Sequence, residues 1–138
     1  MDENCAYCAE GEKLAAFGIK ICDMPMSKLI LFKEQTHKGR VIVACKKHVD
    51  DITSLTAEER AAYIEDINRA AVALHKVFHP DKINFGAYGD TMHHLHVHLV
   101  PKYKDEAEWG DVFAMNPHAV ELTDSEYQDL IEKIREAL

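Results

Sequence analysis

Residues 91–100 read Thr91-Met92-His93-His94-Leu95-His96-Val97-His98-Leu99-Val100. In an extended chain successive side chains point to opposite faces, which places His94, His96 and His98 on one face and Leu95, Val97 and Leu99 on the other. At about 3.3 Å of rise per residue, same-face imidazoles lie roughly 6.5–7 Å apart. The aliphatic face needs a covering layer. The histidine face must line either a cleft or open water.

Working outward, residues 82–88 (Lys-Ile-Asn-Phe-Gly-Ala-Tyr) are expected as the preceding strand. A Gly89-Asp90 turn joins it to a strand over 94–100, which Pro101 is expected to end. Upstream of both lies the clearest helix. Thr56-x-x-Glu59 forms a capping box, and Tyr63, Ile67, Ala70, Leu74 and Val77 follow at helical spacing until Pro80 stops the run. Earlier still, 15–22 and 28–34 are expected as strands around a Met24-Pro25-Met26-Ser27 turn, and Gly39 opens a β-branched strand over 40–45. Segment 102–120 shows no period and is expected as loop. Thr123-x-x-Glu126 opens a last helix with Tyr127, Leu130, Ile131 and Ile134 on one face. Without βαβ alternation, the order favours an α+β fold with an antiparallel sheet of about five strands.

The chain has 138 residues and is read as a single domain, 1–138, large enough to bury a core without disulfides. Its 16 Lys and Arg against 24 Asp and Glu give a formal net charge of −8. That balance disfavours bulk nucleic acid but leaves room for a small phosphorylated ligand. The apolar runs fall far short of the ~20 residues of a spanning helix, so no membrane partner is expected. The acidic opening Met1-Asp2-Glu3-Asn4 gives no sign of a secretory leader, which points to the cytoplasm and to reduced thiols. Cys22 and Cys45 lie in apolar segments and are expected in the core. Cys5 and Cys8 form a Cys-x-x-Cys pair, open to reading as metal ligands, a redox pair or a coincidence.

Three readings of the histidine face are open. It could be a solvated face, or a metal-binding one, although three ligands from one straight strand suit a tetrahedral ion poorly. It could also be a nucleophile flanked by helpers, since neutral imidazole attacks phosphorus well near pH 7. Neighbouring imidazoles could then hold phosphate oxygens.

At these residues the chain resembles the histidine triad (HIT) family of nucleotide hydrolases and transferases. The family motif His-φ-His-φ-His-φ-φ, with φ apolar, is met by His94-Leu95-His96-Val97-His98-Leu99-Val100. Lys46-Lys47-His48 looks like its Pro-Lys-x-His segment, with Cys45 where proline is usual. Cys5-Ala6-Tyr7-Cys8 resembles the opening of many bacterial members. The likeness covers roughly residues 5–103, leaving 104–138 as a loop and helix.

The resemblance implies that His96 is the nucleophile. It would attack the α-phosphorus of a nucleotide, form a covalent nucleotidyl-histidine, and lose a nucleoside monophosphate to water. His98 would bind the non-bridging or leaving oxygen and donate a proton. Asn84 and Thr91 would contact phosphate, Phe32 and Tyr7 would sandwich the base (usually adenine), and Glu34 would accept from ribose hydroxyls. Cys5, Cys8, His48 and His94 would hold a structural zinc, and no catalytic metal is called for. Glu34 stands where relatives more often carry Asp, Asp90 where several have Gln, and Arg40 where His is frequent. The expected activity is a phosphoramidase or a dinucleoside polyphosphate hydrolase, in a chain that forms a homodimer. The alternative is a non-catalytic, zinc-stabilised nucleotide-binding or scaffold protein.

Overall fold

Alternation needs a sheet covered on its aliphatic face, and the computed structural model, which describes residues 2–138, has one. Met1, the first residue of the expected 1–138 domain, lies outside the described residues. Two single helical turns, Ala6–Ala9 (α1) and Glu12–Ala15 (α2), precede Gly18–Asp23 (β1), Ser27–Phe32 (β2) and Val41–Cys45 (β3). A long helix, Ala57–Phe78 (α3), leads to Lys82–Gly86 (β4) and His96–Lys102 (β5), and Asp124–Ala137 (α4) closes the chain. The strand order is β1-β2-β3-β5-β4, and every pairing is antiparallel. This is the expected α+β architecture. Among the described residues no helix is long and apolar enough to cross a membrane.

One sheet face carries Leu29, Leu31, Val41, Val43, Val97 and Leu99, buried with Leu95 against Tyr63, Ile67 and Leu74 of α3 and Ile131 and Ile134 of α4. The opposite face carries Ile30, Phe32, Ile42 and Ala44, buried with Tyr7, Cys8 and Leu14 of the opening turns. His96 pairs with Ala44 and His98 with Ile42, so both imidazoles stand on this second face. α3 and α4 start at fully formed capping boxes on Thr56 and Thr123. Tyr63, wholly buried, donates from its hydroxyl to the Val43 carbonyl at 2.7 Å, fixing α3 to the middle of the sheet.

Several details differ from expectation: β3 starts at Val41 rather than 40, and β4 ends at Gly86 rather than 88. Residues 15–17 belong to α2 and the turn after it, so β1 starts at Gly18. Phe32 is the last residue of β2, leaving 33 and 34 outside the strand expected to reach them. His94 also lies outside its strand. It sits in a bend where Leu95 is held by backbone bonds to Val49 and Cys45, and β5 begins two residues later. Pro101 does not end β5 but lies within it, opposite Ile83. Pairing with β3 stops at Leu99, so at residue 101 the strand has a neighbour on one side only and a missing N–H is tolerated.

Candidate active site and metal cluster

Three histidines of one ribbon end in three environments, and their hydrogen bonds assign their protons. His96 Nδ1 lies 2.6 Å from the His94 carbonyl oxygen. A carbonyl only accepts, so Nδ1 carries the proton and Nε2 keeps a free lone pair. His98 is the opposite case, because its Nδ1 faces a guanidinium nitrogen of Arg40 at 3.1 Å. Guanidinium only donates, so His98 Nδ1 accepts and the proton resides on Nε2. The two rings are 5.5 Å apart, closer than an ideal strand gives, and meet at a steep angle. Burial lowers the basicity of both. His98 falls to about 3, through burial first and then the Arg40 and His96 charges.

His94 belongs to a second cluster. Its Nε2 lies 2.6 Å from the Cys45 carbonyl and therefore donates, which leaves Nδ1 as a bare lone pair. That atom is 3.2 Å from Cys5 Sγ, 3.5 Å from Cys8 Sγ and 3.1 Å from His48 Nδ1, and Cys8 Sγ is 3.3 Å from His48 Nδ1. All four atoms lie within 4.8 Å of one another. Bond lengths of about 2.3 Å to sulfur and 2.0–2.1 Å to nitrogen make the edges of a zinc tetrahedron about 3.3–3.8 Å long. The four distances above, at 3.1–3.5 Å, come close to those edges, and two thiols with two imidazoles are a zinc donor set, so the side chains fit zinc. Cys5 caps α1 and Cys8 lies within it, His48 follows β3 and His94 precedes β5. A metal here would tie three separate stretches of chain together.

Above His96 and His98 is a cavity of about 610 Å³, within the usual range for small-molecule sites. Tyr7, between the two cysteines, forms one wall. Its ring centroid is 4.9 Å from that of His96 and 5.3 Å from that of His94. Phe32 forms another, edge-on to His98 at 5.5 Å. Thr91 lines the rim with Tyr88 and Asp90. Lys102 ends β5, and the rest of the expected loop, residues 103–120, is irregular and crosses this face. Phe113 is buried, its ring tilted toward that of His98 at a centroid distance of 6.2 Å. Gly86 pairs with His98, and a Cβ there would meet Phe113 at 2.8 Å, so glycine leaves the space in which Phe113 closes over the site.

Asn84 and Glu34 lie beside the cavity rather than in its wall. Asn84 pairs with Val100 on the histidine face and lines a hollow that shares Tyr88, Val112 and Phe113 with the cavity. Glu34 lines a separate hollow that shares Phe17, Phe32 and Asn116 with the cavity. Its carboxylate accepts from the amides of Thr36, Ala119 and Val120 at 2.7–2.8 Å. Burial works to raise its pKa, yet those amides hold it at about 2.

A family model described as HIT domain matches residues 18–105. The chain belongs to the HIT family. Protein hit of Bacillus subtilis (strain 168) is 25% identical over 144 residues, covering 99% of this chain and 95% of that protein. A histidine triad protein from Sinorhizobium meliloti 1021 superposes with a TM-score of 0.85 at 23% identity, covering 93% of this chain and 95% of that one. A zinc-bound histidine triad family protein from Mycobacterium smegmatis gives 0.67, also at 23% identity, over 97% and 92% of the two chains.

Within this HIT protein, sequence reasoning missed Phe17, which packs edge-on to Tyr7 at 5.8 Å and lines the cavity. The role of Arg40 was equally hidden. The sequence marks it only as the first residue of the expected strand 40–45 and as standing where relatives often carry His; in the structure it lies just before β3. In fact it is 1% exposed, with its guanidinium carbon 4.2 Å from the Phe32 ring centroid and 4.9 Å from that of Phe113. Burial lowers its pKa to about 10, so it remains charged at neutral pH. The cue lay one residue earlier. Gly39 has φ +94°, and a Cβ there would meet the Phe78 ring at 2.6 Å. The chain turns inward at this glycine and carries Arg40 beneath residues 113–115.

Proposed function

We propose that this HIT protein is a nucleotide hydrolase in which His96 attacks the α-phosphorus and forms a nucleotidyl-histidine that water releases as the monophosphate. HIT family membership supports a nucleotide-binding or hydrolase-type function, and one observation carries the finer assignment. His96 is held by the His94 carbonyl in the one tautomer that presents a free Nε2 lone pair beside the cavity. A neutral, oriented imidazole is also a good leaving group for the second step. His98 offers an Nε2–H to a non-bridging or bridging oxygen, and Thr91 stands at the rim for phosphate. Tyr7 and Phe32 flank the nucleoside, and Glu34 in the adjoining hollow meets the ribose alongside its three amides. Asn84 serves the part of the substrate that extends past Phe113.

Cys5, Cys8, His48 and His94 would hold one structural zinc. When bound, the ion supplies no reacting group but fixes the bend that aims the His94 carbonyl at His96. The whole chain acts as one domain in a cytoplasmic homodimer and engages neither nucleic acid nor membrane. The zinc-bound relative from Mycobacterium smegmatis supports the metal assignment.

The test is to mix the protein with an adenosine phosphoanhydride, quench early and weigh it. A mass increase of one adenylyl group, lost in His96→Asn while nucleotide binding persists, is the expected result. Turnover retained by His96→Asn would overturn the assignment. Tight nucleotide binding by wild type, with neither adduct nor released monophosphate, would instead favour a binding protein.

A further inference from the structure

Arg40 is locked in place by more than His98. One terminal nitrogen donates to His98 Nδ1 at 3.1 Å and the other to the Ala114 carbonyl at 3.1 Å. The fork is clamped between the Phe32 and Phe113 rings. Protonating His98 would set a second N–H against the guanidinium at this distance and place two cations together in a buried site. The contact therefore fixes His98 as a neutral imidazole whose Nε2–H can hold an oxygen. Giving that proton away would leave an imidazolate, which nothing around it stabilises.

We infer that Arg40 is a positioning residue that restricts this site to leaving groups departing as anions, so that its substrate class is the phosphoanhydride rather than the phosphoramidate. This rests on the HIT-type chemistry proposed above and narrows it. In the first step the His96 Nε2 lone pair forms a bond to the α-phosphorus. The bond from that phosphorus to the bridging oxygen breaks, and its electron pair leaves with the oxygen of a phosphate that needs no proton. His98 Nε2–H holds that oxygen, and the Arg40 charge behind His98 favours its developing negative charge. In the second step water adds its oxygen to phosphorus, its proton goes to solvent, and the bond electrons return to Nε2. An amine leaving group differs, because it must take up a proton as the P–N bond breaks, and His98 cannot supply one.

The charged and titratable groups around this pair are few. His96 faces His98 from β5, and Glu34, Glu108 and Tyr88 face Arg40 from the surrounding loops. Phe32, Phe113 and Met115 supply the remaining contacts.

The experiment compares kcat/KM for a diadenosine polyphosphate and an adenosine phosphoramidate over about pH 5.5 to 8, the range in which an unperturbed histidine titrates. Wild type is expected to favour the anhydride by about a hundredfold or more, the scale of one proton transfer withheld from the amide. Long-range 15N–1H spectra should show His98 as the Nε2–H tautomer throughout that range. Arg40→Met fills the slot between the rings without a charge. With burial still opposing the charge, it should raise the basicity of His98 part of the way, so that amide cleavage increases toward the acid end of the range and the preference shrinks. A wild type that cleaves the amide as fast as the anhydride overturns the inference alone, as does a preference that Arg40→Met leaves intact. Absence of a His96 adduct with either substrate overturns the underlying chemistry and the inference with it. Should Arg40→Met fail to fold, the wild-type ratio and the His98 spectrum still decide.

Discussion

Removing the metal from the Cys5, Cys8, His48 and His94 cluster should cost stability that can be worked out beforehand. A ligand that binds only the folded chain contributes RT ln(1 + [L]/Kd), about 2.7 kcal/mol at a hundredfold excess over Kd. Unfolding entropies near 2.1 cal/mol/K per residue give a chain of 138 residues about 0.29 kcal/mol/K at the midpoint. The quotient is a fall of about 9 °C in Tm when a chelator strips zinc at that excess, and more at higher saturation. The protein as purified should carry one zinc per chain, and the melt should be run with and without chelator and again after zinc is restored. Cobalt substitution adds geometry, since two thiolates and two imidazoles should give the intense visible bands of a tetrahedral ion. The His94 carbonyl holds His96 Nδ1–H at 2.6 Å, so the stripped protein should also form the His96 adduct more slowly. An unchanged Tm on chelation, or the weak bands of six-coordinate cobalt, would refute the site.

His98 makes folding pH-dependent. Its folded pKa of about 3 lies below its ordinary value of 6.5. As the pH falls below about 6.5 the unfolded chain therefore takes up a proton that the folded chain refuses. The stabilisation is complete above that pH and is lost progressively toward pH 3. Urea unfolding of His98→Asn should lack about one proton of this slope, and an unchanged slope would contradict the Arg40 contact. Tyr63→Phe removes the hydroxyl that satisfies Val43 and should cost about 1–1.5 kcal/mol, read as a fall in Tm of roughly 3–5 °C; no change would mean that the bond contributes nothing. Light scattering should give twice the 15.7 kDa chain mass, and a single-chain mass would remove the homodimer.

The fold was legible because its elements obey short-range rules. Both capping boxes, the helical spacing of Tyr63 through Leu74, and the strict alternation of 95–99 each express one local geometry, and tertiary packing agreed with all of them. The limits of β5 were less legible. Pro101 reads as a strand terminus when only its own missing N–H is considered, and the decisive fact is the place where β3 stops pairing. Arg40, Gly86 and Phe113 were illegible for the same reason. Each acquires its role from a residue distant in sequence: a histidine 58 positions away for Arg40, and for the other two the approach of one loop to one strand. No window along the chain contains those distances.

The sequence repeats one residue type at 94, 96 and 98, and alternation alone would make the three equivalent. The partner of each Nδ1 separates them. On His94 it is the thiol cluster, on His96 a carbonyl, on His98 a guanidinium. A lone pair among two thiols and another imidazole binds a metal; an N–H on a carbonyl frees the opposite nitrogen to attack; a lone pair on a guanidinium turns the opposite nitrogen into a fixed donor. The three proposed roles also form a chain, since the residue suited to hold a metal supplies the carbonyl that orients His96, the proposed nucleophile, whose ring in turn packs on that of His98. A substitution at His94 should therefore weaken metal binding and adduct formation together. One at Arg40 should leave the metal bound and alter only which leaving group departs.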